Sequence, residues 1–245
     1  VYHPARYDGS DPAVVDRQIA DLRYAGLDAA IASWWGIGSR TDGRIPLLLK
    51  RSRGTGLRWT LYYEREGTTD PSSETITADL RYIRTRYTGD PAYLRRDGKP
   101  VIFVYAGGDG CDMARRWQQA DSSGFHVVLK VFAGYRDCPA QPDSWHQYSP
   151  AKTLDVQAGH SASVSPGFHL VGEAERLPRD PAEFRRAVTQ VATSGLPWQL
   201  VTTYNEWGEG TAVETAGEWA TPSGHGQYVE ALHEIFGANP AGVAP

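Results

Sequence analysis

The chain has 245 residues, of which 40% are apolar, and it can bury the core of one large domain, so we expect a single catalytic domain over residues 1–245. Its formal charge is −4 and its Lys and Arg residues are scattered, which argues against a nucleic-acid-binding protein because no basic face is available for phosphates. Its longest apolar runs, such as residues 101–106, are far shorter than the roughly 18 residues of a membrane span, which argues against a membrane protein.

Helices are predicted where apolar residues recur at intervals of three and four. The first helix begins after Asp11, a capping residue that is followed by proline, and ends at Gly26. The same spacing predicts further helices over residues 45–53, 76–87, 112–120, 181–193 and 227–236.

Short apolar runs without helical spacing alternate with these helices. They predict strands over residues 27–36, 57–64, 100–106, 125–132, 144–148, 161–168 and 199–204. Strands that alternate with helices pair in parallel through right-handed crossovers. Both a doubly wound sheet and an eight-stranded barrel fit this order of elements.

Chemically distinctive side chains follow the ends of most predicted strands, and this favours the barrel. They are Trp34, Trp35, Tyr63, Glu64, Tyr105, Phe132, Tyr148, His169, Asn205 and Glu206. In a barrel these strand ends meet at one mouth, whereas an open sheet gathers ligands only at its switch point. We therefore predict an α/β fold, a (β/α)8 TIM-like barrel, whose first strand is missing or truncated because the chain opens with a loop and then a helix.

The two cysteines, Cys111 and Cys138, lack the C-x-x-C spacing of a zinc site. They follow two successive predicted strands, and loops over neighbouring strands can bring two thiols within bonding distance. We predict a disulfide between them; two buried thiols are the alternative. A disulfide favours a secreted or cell-surface protein, and the 8 Trp and 13 Tyr residues suit carbohydrate binding there.

The stretch VTTYNEWGEGTAVE (201–214) places two carboxylates three positions apart directly after a predicted strand. Hydrolysis of a glycosidic bond needs such a pair, one as the acid at the leaving oxygen and one acting toward the sugar. Trp207 between Glu206 and Glu209 offers an apolar wall, which raises the pKa of a neighbouring carboxyl. The glycines on both sides of Glu209 allow a tight loop. The alternative is a pair of exposed loop carboxylates without a function.

Six stretches stand in order along nearly the whole chain: YDGSDP (7–12), AGLD (25–28), SWWG (33–36), YYE (62–64), GKPV (98–101) and NEWGEGT (205–211). Together they resemble glycoside hydrolase family 99, the endo-α-mannosidase family, and its relatives in polysaccharide loci. The resemblance implies a (β/α)8 barrel, a site without metal or cofactor, and an endo-acting hydrolase that retains anomeric configuration.

The same resemblance implies a role for each glutamate. Glu206 acts as a base on the substrate's own 2-hydroxyl, which gives a 1,2-anhydro sugar. Glu209 protonates the leaving oxygen and later activates water, and Glu64 orients sugar hydroxyls near the cleaved bond. This chemistry suits mannose-configured sugars, whose 2-hydroxyl attacks from the face opposite the leaving group. The chain departs from the family pattern at Gly208, where His is common. It also departs at Phe168, which follows Pro166 and Gly167 where the family has the stretch Pro-Gly-Tyr.

Further candidate substrate contacts are aromatic or polar side chains at strand ends. One of Trp34 and Trp35 is expected to contact sugar, because adjacent side chains of a strand point to opposite faces. The other candidates are Tyr63, Tyr105, His169, Asn205 and Trp207. A core position is the alternative for the tyrosines and for one of the tryptophans, and a structural role is the alternative for His169.

We predict a monomeric, endo-acting, retaining glycoside hydrolase that degrades an α-linked mannose-containing or related polysaccharide, with an oligosaccharide or polysaccharide as its partner. Three alternatives stay open: another sugar or linkage on the same scaffold, a carbohydrate-binding protein without catalysis, and a polysaccharide-assembly protein.

Overall fold

The computed structural model describes residues 6–105, 110–120, 122 and 124–237. Its α-helices are α1 (Pro12–Tyr24), α2 (Ile45–Ser52), α3 (Glu66–Thr69), α4 (Ser73–Arg86), α5 (Cys111–Gln119), α6 (Pro181–Thr193) and α7 (Gln227–Leu232). Its strands are β1 (Ala29–Trp34), β2 (Arg58–Tyr63), β3 (Arg95–Arg96), β4 (Lys99–Val104), β5 (His126–Lys130), β6 (Ser144–His146), β7 (Leu154–Gln157), β8 (Ser161–Val164) and β9 (Trp198–Val201). Each predicted helix and strand is confirmed, with ends that differ by a few residues.

Two strands were not predicted, and both pair antiparallel to a neighbour. β3 forms a short hairpin with β4, and β7 pairs with β8. The hairpin turns at Asp97 and Gly98, whose φ angles of +50° and +73° are typical of the Asp-Gly turns that join two-residue hairpins. The strands that were predicted pair with one another in parallel, as expected, and the antiparallel pairs each involve one of the two additional strands.

The chain divides into two compact units. The continuous unit is Asp28–His146, and the discontinuous unit combines Val1–Leu27 with Gln147–Pro245. None of the helices among the described residues is both long and apolar enough to cross a membrane.

The continuous unit contains a parallel sheet with the strand order β1-β2-β4-β5-β6. Side chains alternate between its two faces. One face carries apolar residues such as Leu61, Ile102 and Leu129, which join a core cluster with residues of α2, α4 and α5. The other face carries polar side chains such as Ser33 and Glu64.

The disulfide between Cys111 and Cys138 lies in the continuous unit. It joins the start of α5 to a turn that follows β5, and the two Cα atoms are 5.4 Å apart. This is the pairing expected from the loops over successive strands.

The discontinuous unit contains the three-stranded sheet β7-β8-β9, in which β8 and β9 are parallel. Its core combines apolar residues of β8, α6 and α7 with the segment after α1, as Val164, Phe184, Leu232 and Ala25 illustrate. The strand β9 leads directly into the stretch that carries Glu206 and Glu209, so this core supports the candidate catalytic loop.

Candidate functional site

The loop that carries the two glutamates is closed by hydrogen bonds between its ends. The N–H of Thr203 donates to the carbonyl of Thr211 at 3.1 Å, and the two threonine hydroxyls lie 2.8 Å apart. The N–H of Glu206 donates to the Thr203 hydroxyl at 3.0 Å. Glu206 and Glu209 therefore lie on a short segment whose two ends are fixed to each other.

A neighbouring backbone segment packs against this loop. The N–H of His169 donates to the Glu209 carbonyl at 2.9 Å, and the N–H of Val171 donates to the Gly208 carbonyl at 3.1 Å. Gly210 has a φ of +67°, and a Cβ atom there would lie 2.9 Å from the carbonyl oxygen of His169. Of the two loop glycines, Gly210 is thus the one that the backbone conformation requires.

The two carboxylates differ in exposure and interact electrostatically. Glu206 is exposed, and Glu209 is half-buried with the Tyr148 hydroxyl donating to its Oε2. The pKa of Glu206 is raised above its ordinary value, first by partial removal of water and second by the negative charge of Glu209. A hydrogen bond from the backbone of Gly208 opposes this shift.

A third carboxylate of the same stretch, Glu214, is buried beneath the loop with 5% of its surface exposed. It accepts hydrogen bonds from Tyr7 Oη at 2.8 Å, Trp207 Nε1 at 3.1 Å and Gln18 Nε2 at 3.2 Å. Burial, together with the charge of Glu214, raises the pKa of Tyr7 to about 12, so its phenol stays protonated and donates.

Two of the predicted substrate contacts are held by this network. Asn205 donates from Nδ2 to the Tyr7 hydroxyl at 3.0 Å. The Trp207 ring, whose N–H faces Glu214, stacks on Trp219 with the ring centres 5.9 Å apart. The polar groups of Asn205 and Trp207 therefore serve the shape of the loop, whether or not they also contact a ligand.

Arg179 anchors the end of the loop from a different side. Its Nη2 donates to the carbonyls of Gly210 at 2.9 Å and Ala212 at 2.7 Å. Its guanidinium carbon lies 4.0 Å from the centre of the Trp219 ring, a cation–π contact. The ring that supports Trp207 and the backbone that follows Glu209 are thus tied to one side chain.

In the continuous unit, three of the candidates lie at or just beyond the C-terminal ends of strands. Glu64 is buried and accepts a hydrogen bond from the Ser33 hydroxyl at 2.7 Å. Trp35 is 51% exposed, and Tyr105 is half-buried. Ligands of parallel sheets bind at this edge, so these positions are compatible with contact to a substrate.

Trp34 and Tyr63 lie elsewhere, in the core between sheet and helices. Both side chains have 0% exposure; the Trp34 indole donates to Asp42 at 2.7 Å and the Tyr63 hydroxyl to Asp79 at 2.7 Å. The strand alternation turns them to the helix-facing side, away from Trp35 and Glu64. Neither side chain is open to a sugar: Trp34 is the member of the tryptophan pair that lies in the core, and Tyr63 takes the core position that was its alternative, so both are removed from the candidate substrate contacts.

The imidazole of His169 has a backbone carbonyl as its hydrogen-bond partner. Its Nε2 lies 3.1 Å from the Glu173 carbonyl, while its backbone pairs with Glu209. Within the described part of the chain, no group of three or more His, Cys, Asp or Glu side chains could hold a metal ion.

Sequence reasoning missed three polar residues around the loop: Tyr7, Tyr148 as the partner of Glu209, and Glu214. Tyr7 and Glu214 lie 207 positions apart, so no local pattern could pair them. The available signal was their position inside stretches already singled out, YDGSDP and the end of VTTYNEWGEGTAVE.

Comparison with known proteins supplies further findings. A family described as glycosyl hydrolase family 99 matches residues 2–126. The mouse (Mus musculus) glycoprotein endo-alpha-1,2-mannosidase is 26% identical over 110 residues, which are 40% of this chain and 23% of the mouse protein. The match therefore spans less than a quarter of the length of this relative.

Two solved structures of the GH99 endo-alpha-mannosidase from Bacteroides thetaiotaomicron superpose on the chain with TM-scores of 0.76 and 0.75, at 18% and 17% identity. The superpositions cover 96% and 98% of this chain and 86% and 84% of those chains. This likeness shows that the fold is α/β and TIM-barrel-like, as predicted.

The family match leaves out the loop with Glu206 and Glu209, so it is independent of the motif on which the resemblance chiefly rested. It covers 125 of the 245 residues, just over half of the chain. The resemblance is thereby confirmed, and this chain belongs to glycosyl hydrolase family 99.

Proposed function

We propose that this protein is an endo-acting glycoside hydrolase that cleaves an α-linked, mannose-containing polysaccharide with retention of configuration, and that Glu206 and Glu209 carry out the reaction. The observation that carries the proposal is the placement of these two carboxylates on one closed loop, close enough for the two groups to interact electrostatically. Membership of a family of glycoside hydrolases supports the reaction class.

In the first step, Glu206 removes the proton of the substrate's 2-hydroxyl, and the 2-oxygen attacks the anomeric carbon. The glycosidic bond breaks as Glu209, in its acid form, gives a proton to the leaving oxygen. The products are a 1,2-anhydro sugar and the released chain. Because basicity increases with pKa, the raised pKa of Glu206 makes it a stronger base than an ordinary carboxylate.

In the second step, Glu209, now a carboxylate, takes a proton from water as the water oxygen attacks the anomeric carbon. The bond from that carbon to the 2-oxygen breaks, and Glu206 returns its proton to the 2-oxygen. Two successive inversions at one carbon retain the configuration, and both glutamates end in their starting states.

The sugar is proposed from the chemistry and from the relatives. Attack by the 2-oxygen needs a 2-hydroxyl on the face opposite the leaving group, which α-linked mannose provides. The names of the mouse and Bacteroides proteins state that they are endo-alpha-mannosidases. We propose the same class of substrate here, with Glu64 and Trp35 as further contacts to sugar.

The proposal includes a location and an assembly state. The disulfide between Cys111 and Cys138 supports a secreted or cell-surface protein, because such bonds persist in oxidising compartments. We propose that the enzyme acts there as a monomer. Mass spectrometry of the native host's culture fluid and light scattering of the purified chain test the two statements.

The decisive experiment measures release of oligosaccharides from an α-1,2-linked mannan and from a panel of other polysaccharides. We expect release by the wild type, with rates about 10²–10⁴-fold lower for Glu206→Gln and Glu209→Gln, the usual range for loss of an acid–base group. Glu175→Gln, at an exposed position, is the matched control and is expected to match wild type.

NMR of the first products reports the anomeric configuration, which is expected to be that of the substrate. Wild-type protein that releases nothing from any polymer, or Gln variants that remain as active as Glu175→Gln, would contradict the proposal.

A further inference from the structure

A lysine lies at the C-terminal edge of the parallel sheet in the continuous unit. Lys130 ends β5 and pairs in register with His146 at the end of β6. Tyr105 follows Val104, which pairs with Leu129, so Tyr105 takes the position next to Lys130 on the neighbouring strand. The Lys130 Nζ lies 5.1 Å from the centre of the Tyr105 ring.

The neighbours of Lys130 on the two adjoining strands are the Tyr105 ring and the His146 imidazole, and neither is an acidic group. The ring of His146 is 3% exposed and its Nε2 lies 2.9 Å from the Tyr62 hydroxyl. Burial lowers the pKa of His146 to about 3, and the positive charge of Lys130 acts in the same direction, so the imidazole is neutral. Tyr62 also contacts the Tyr105 ring edge-on, with the ring centres 5.8 Å apart.

Within the described part of the chain, no Asp or Glu side chain forms an ion pair with Lys130. The Lys50 side chain, by comparison, stands exposed on α2, where water surrounds the ammonium. Lys130 is half-buried, and its pKa is lowered because burial removes water from the ammonium group. A cation in this condition is stabilised by an anion that enters from solvent.

We propose that Lys130 binds an anionic substituent of the glycan, a carboxylate, phosphate or sulfate group carried on the sugar chain, beside the face of Tyr105. The position at the C-terminal ends of parallel strands is where α/β proteins bind their ligands. The neutral His146 and the ring of Tyr105 then provide walls that keep water from the ion pair. The inference rests on the proposed function in taking the ligand to be a glycan.

The test compares binding of matched oligosaccharides, so that it does not depend on turnover. Calorimetry would use the full chain carrying Glu209→Gln, with α-1,2-linked mannotetraose and with the same tetrasaccharide bearing a 6-phosphate, a 6-sulfate or a terminal uronic acid. We expect at least one charged ligand to bind about tenfold or more tightly than the neutral one, as one charge-assisted contact provides.

Three variants locate the preference. Lys130→Met is expected to lose it, while Lys130→Arg retains most of it because the charge is kept. Lys50→Met removes the same net charge from an exposed position and is expected to leave the preference unchanged. Thermal unfolding of each variant confirms that it is folded, and added salt is expected to weaken only the binding of the charged ligand.

Equal binding of neutral and charged ligands would overturn the inference, as would a preference that survives in Lys130→Met or is lost in Lys50→Met. These outcomes are separate from failure of the proposed function. Hydrolysis of neutral mannan with no anionic preference would retain the function and reject the role of Lys130. A Lys130-dependent preference in a wild-type protein that hydrolyses nothing would do the reverse.

Discussion

The stretch from residue 201 to 214 contains three glutamates, which differ in their exposure and in their hydrogen-bond partners. Glu214 is 5% exposed and accepts three hydrogen bonds from side chains. Glu206 is exposed, and its carboxylate accepts a hydrogen bond from the backbone of Gly208. Glu209 is half-buried, with Tyr148 as its side-chain partner.

Burial and hydrogen bonding determine whether a glutamate has a structural or a chemical role. A carboxylate whose oxygens are saturated by fixed donors has little capacity left for a substrate proton. A carboxylate with few donors and a like charge nearby exchanges a proton more readily. Glu214 therefore holds the loop, and the proposed reaction is assigned to Glu206 and Glu209.

Removing Glu214 is expected to have the largest effect on stability. Glu214→Ala leaves the half-buried donors of Tyr7, Gln18 and Trp207 without their acceptor, which costs about 3–4 kcal/mol in the free energy of unfolding. Urea unfolding measures the loss.

Glu214→Gln keeps one acceptor oxygen and is expected to lose less, whereas Glu175→Ala, at an exposed position, is expected to stay within about 0.5 kcal/mol of wild type. A loss for Glu214→Ala no greater than for Glu175→Ala would mean that the buried carboxylate does not support the loop.

Removal of the disulfide in the continuous unit is expected to lower the free energy of unfolding by a similar amount. The disulfide closes a loop with a sequence separation of 27, which corresponds to roughly 3.5 kcal/mol of stability by chain entropy. Cys111→Ser combined with Cys138→Ser is expected to lower the unfolding free energy by this amount. The same urea titration, repeated on wild type with reductant, should show an equal loss; unchanged stability in both would contradict the estimate.

Tyr148→Phe tests the contribution of the hydrogen bond that Tyr148 donates to Glu209. It removes the hydroxyl that donates to Glu209 and leaves the ring in place. One hydrogen bond to a carboxylate is worth enough to lower kcat/KM about tenfold. Steady-state kinetics on the mannan oligosaccharide measure the change, and Tyr82→Phe, which loses a hydroxyl bonded to Asp42, is the control. Equal kinetics for the two variants would exclude a role for Tyr148 at Glu209.

Glu206→Gln is expected to have the smallest effect on stability, and of the opposite sign. The pKa of Glu206 in the folded state is raised, so its contribution to stability is fully present at acid pH, below the pKa of the unfolded chain, and is lost as pH rises through the folded-state pKa. At pH 7 the wild type carries the cost of this charge and the Gln variant does not.

Thermal unfolding from pH 4 to pH 7 tests this sign. The melting temperature of Glu206→Gln should exceed that of wild type at pH 7, and the difference should disappear toward pH 4. A difference that is constant across this range, or one that grows as the pH falls, would show that the Glu206 charge is not strained.

Sequence patterns predicted the fold well where the signal is local. α6 was predicted at 181–193 and occupies those positions, because Asp180 caps it, Pro181 starts it and Phe184 and Val188 share one face. β7 was missed because it is only four residues long and mixes polar with apolar side chains. When a strand is buried on both faces, its sequence does not show which side chains point toward the helices. Trp34 and Tyr63 were kept among the candidate substrate contacts for this reason.

The site was predictable in its sequence-local part and not beyond it. Glu206 and Glu209 stand out because they flank Trp207 after a strand. The donors to Glu214 come from Tyr7 and Gln18, which lie 207 and 196 positions away, and only the fold brings them together. The surroundings of Lys130 likewise depend on which side chains the neighbouring strands present, and composition does not reveal them.

The discontinuous unit is formed from the two ends of the chain, so its N-terminal part is synthesised well before its C-terminal part. α1 contacts α7, and the apolar side of Ala25 joins the same cluster as Leu232. About 200 residues separate the two helices, which a ribosome adds in roughly 10–40 s. During that interval the side of α1 that contacts α7 has no partner from that helix, so a chaperone has tens of seconds in which to bind the nascent chain.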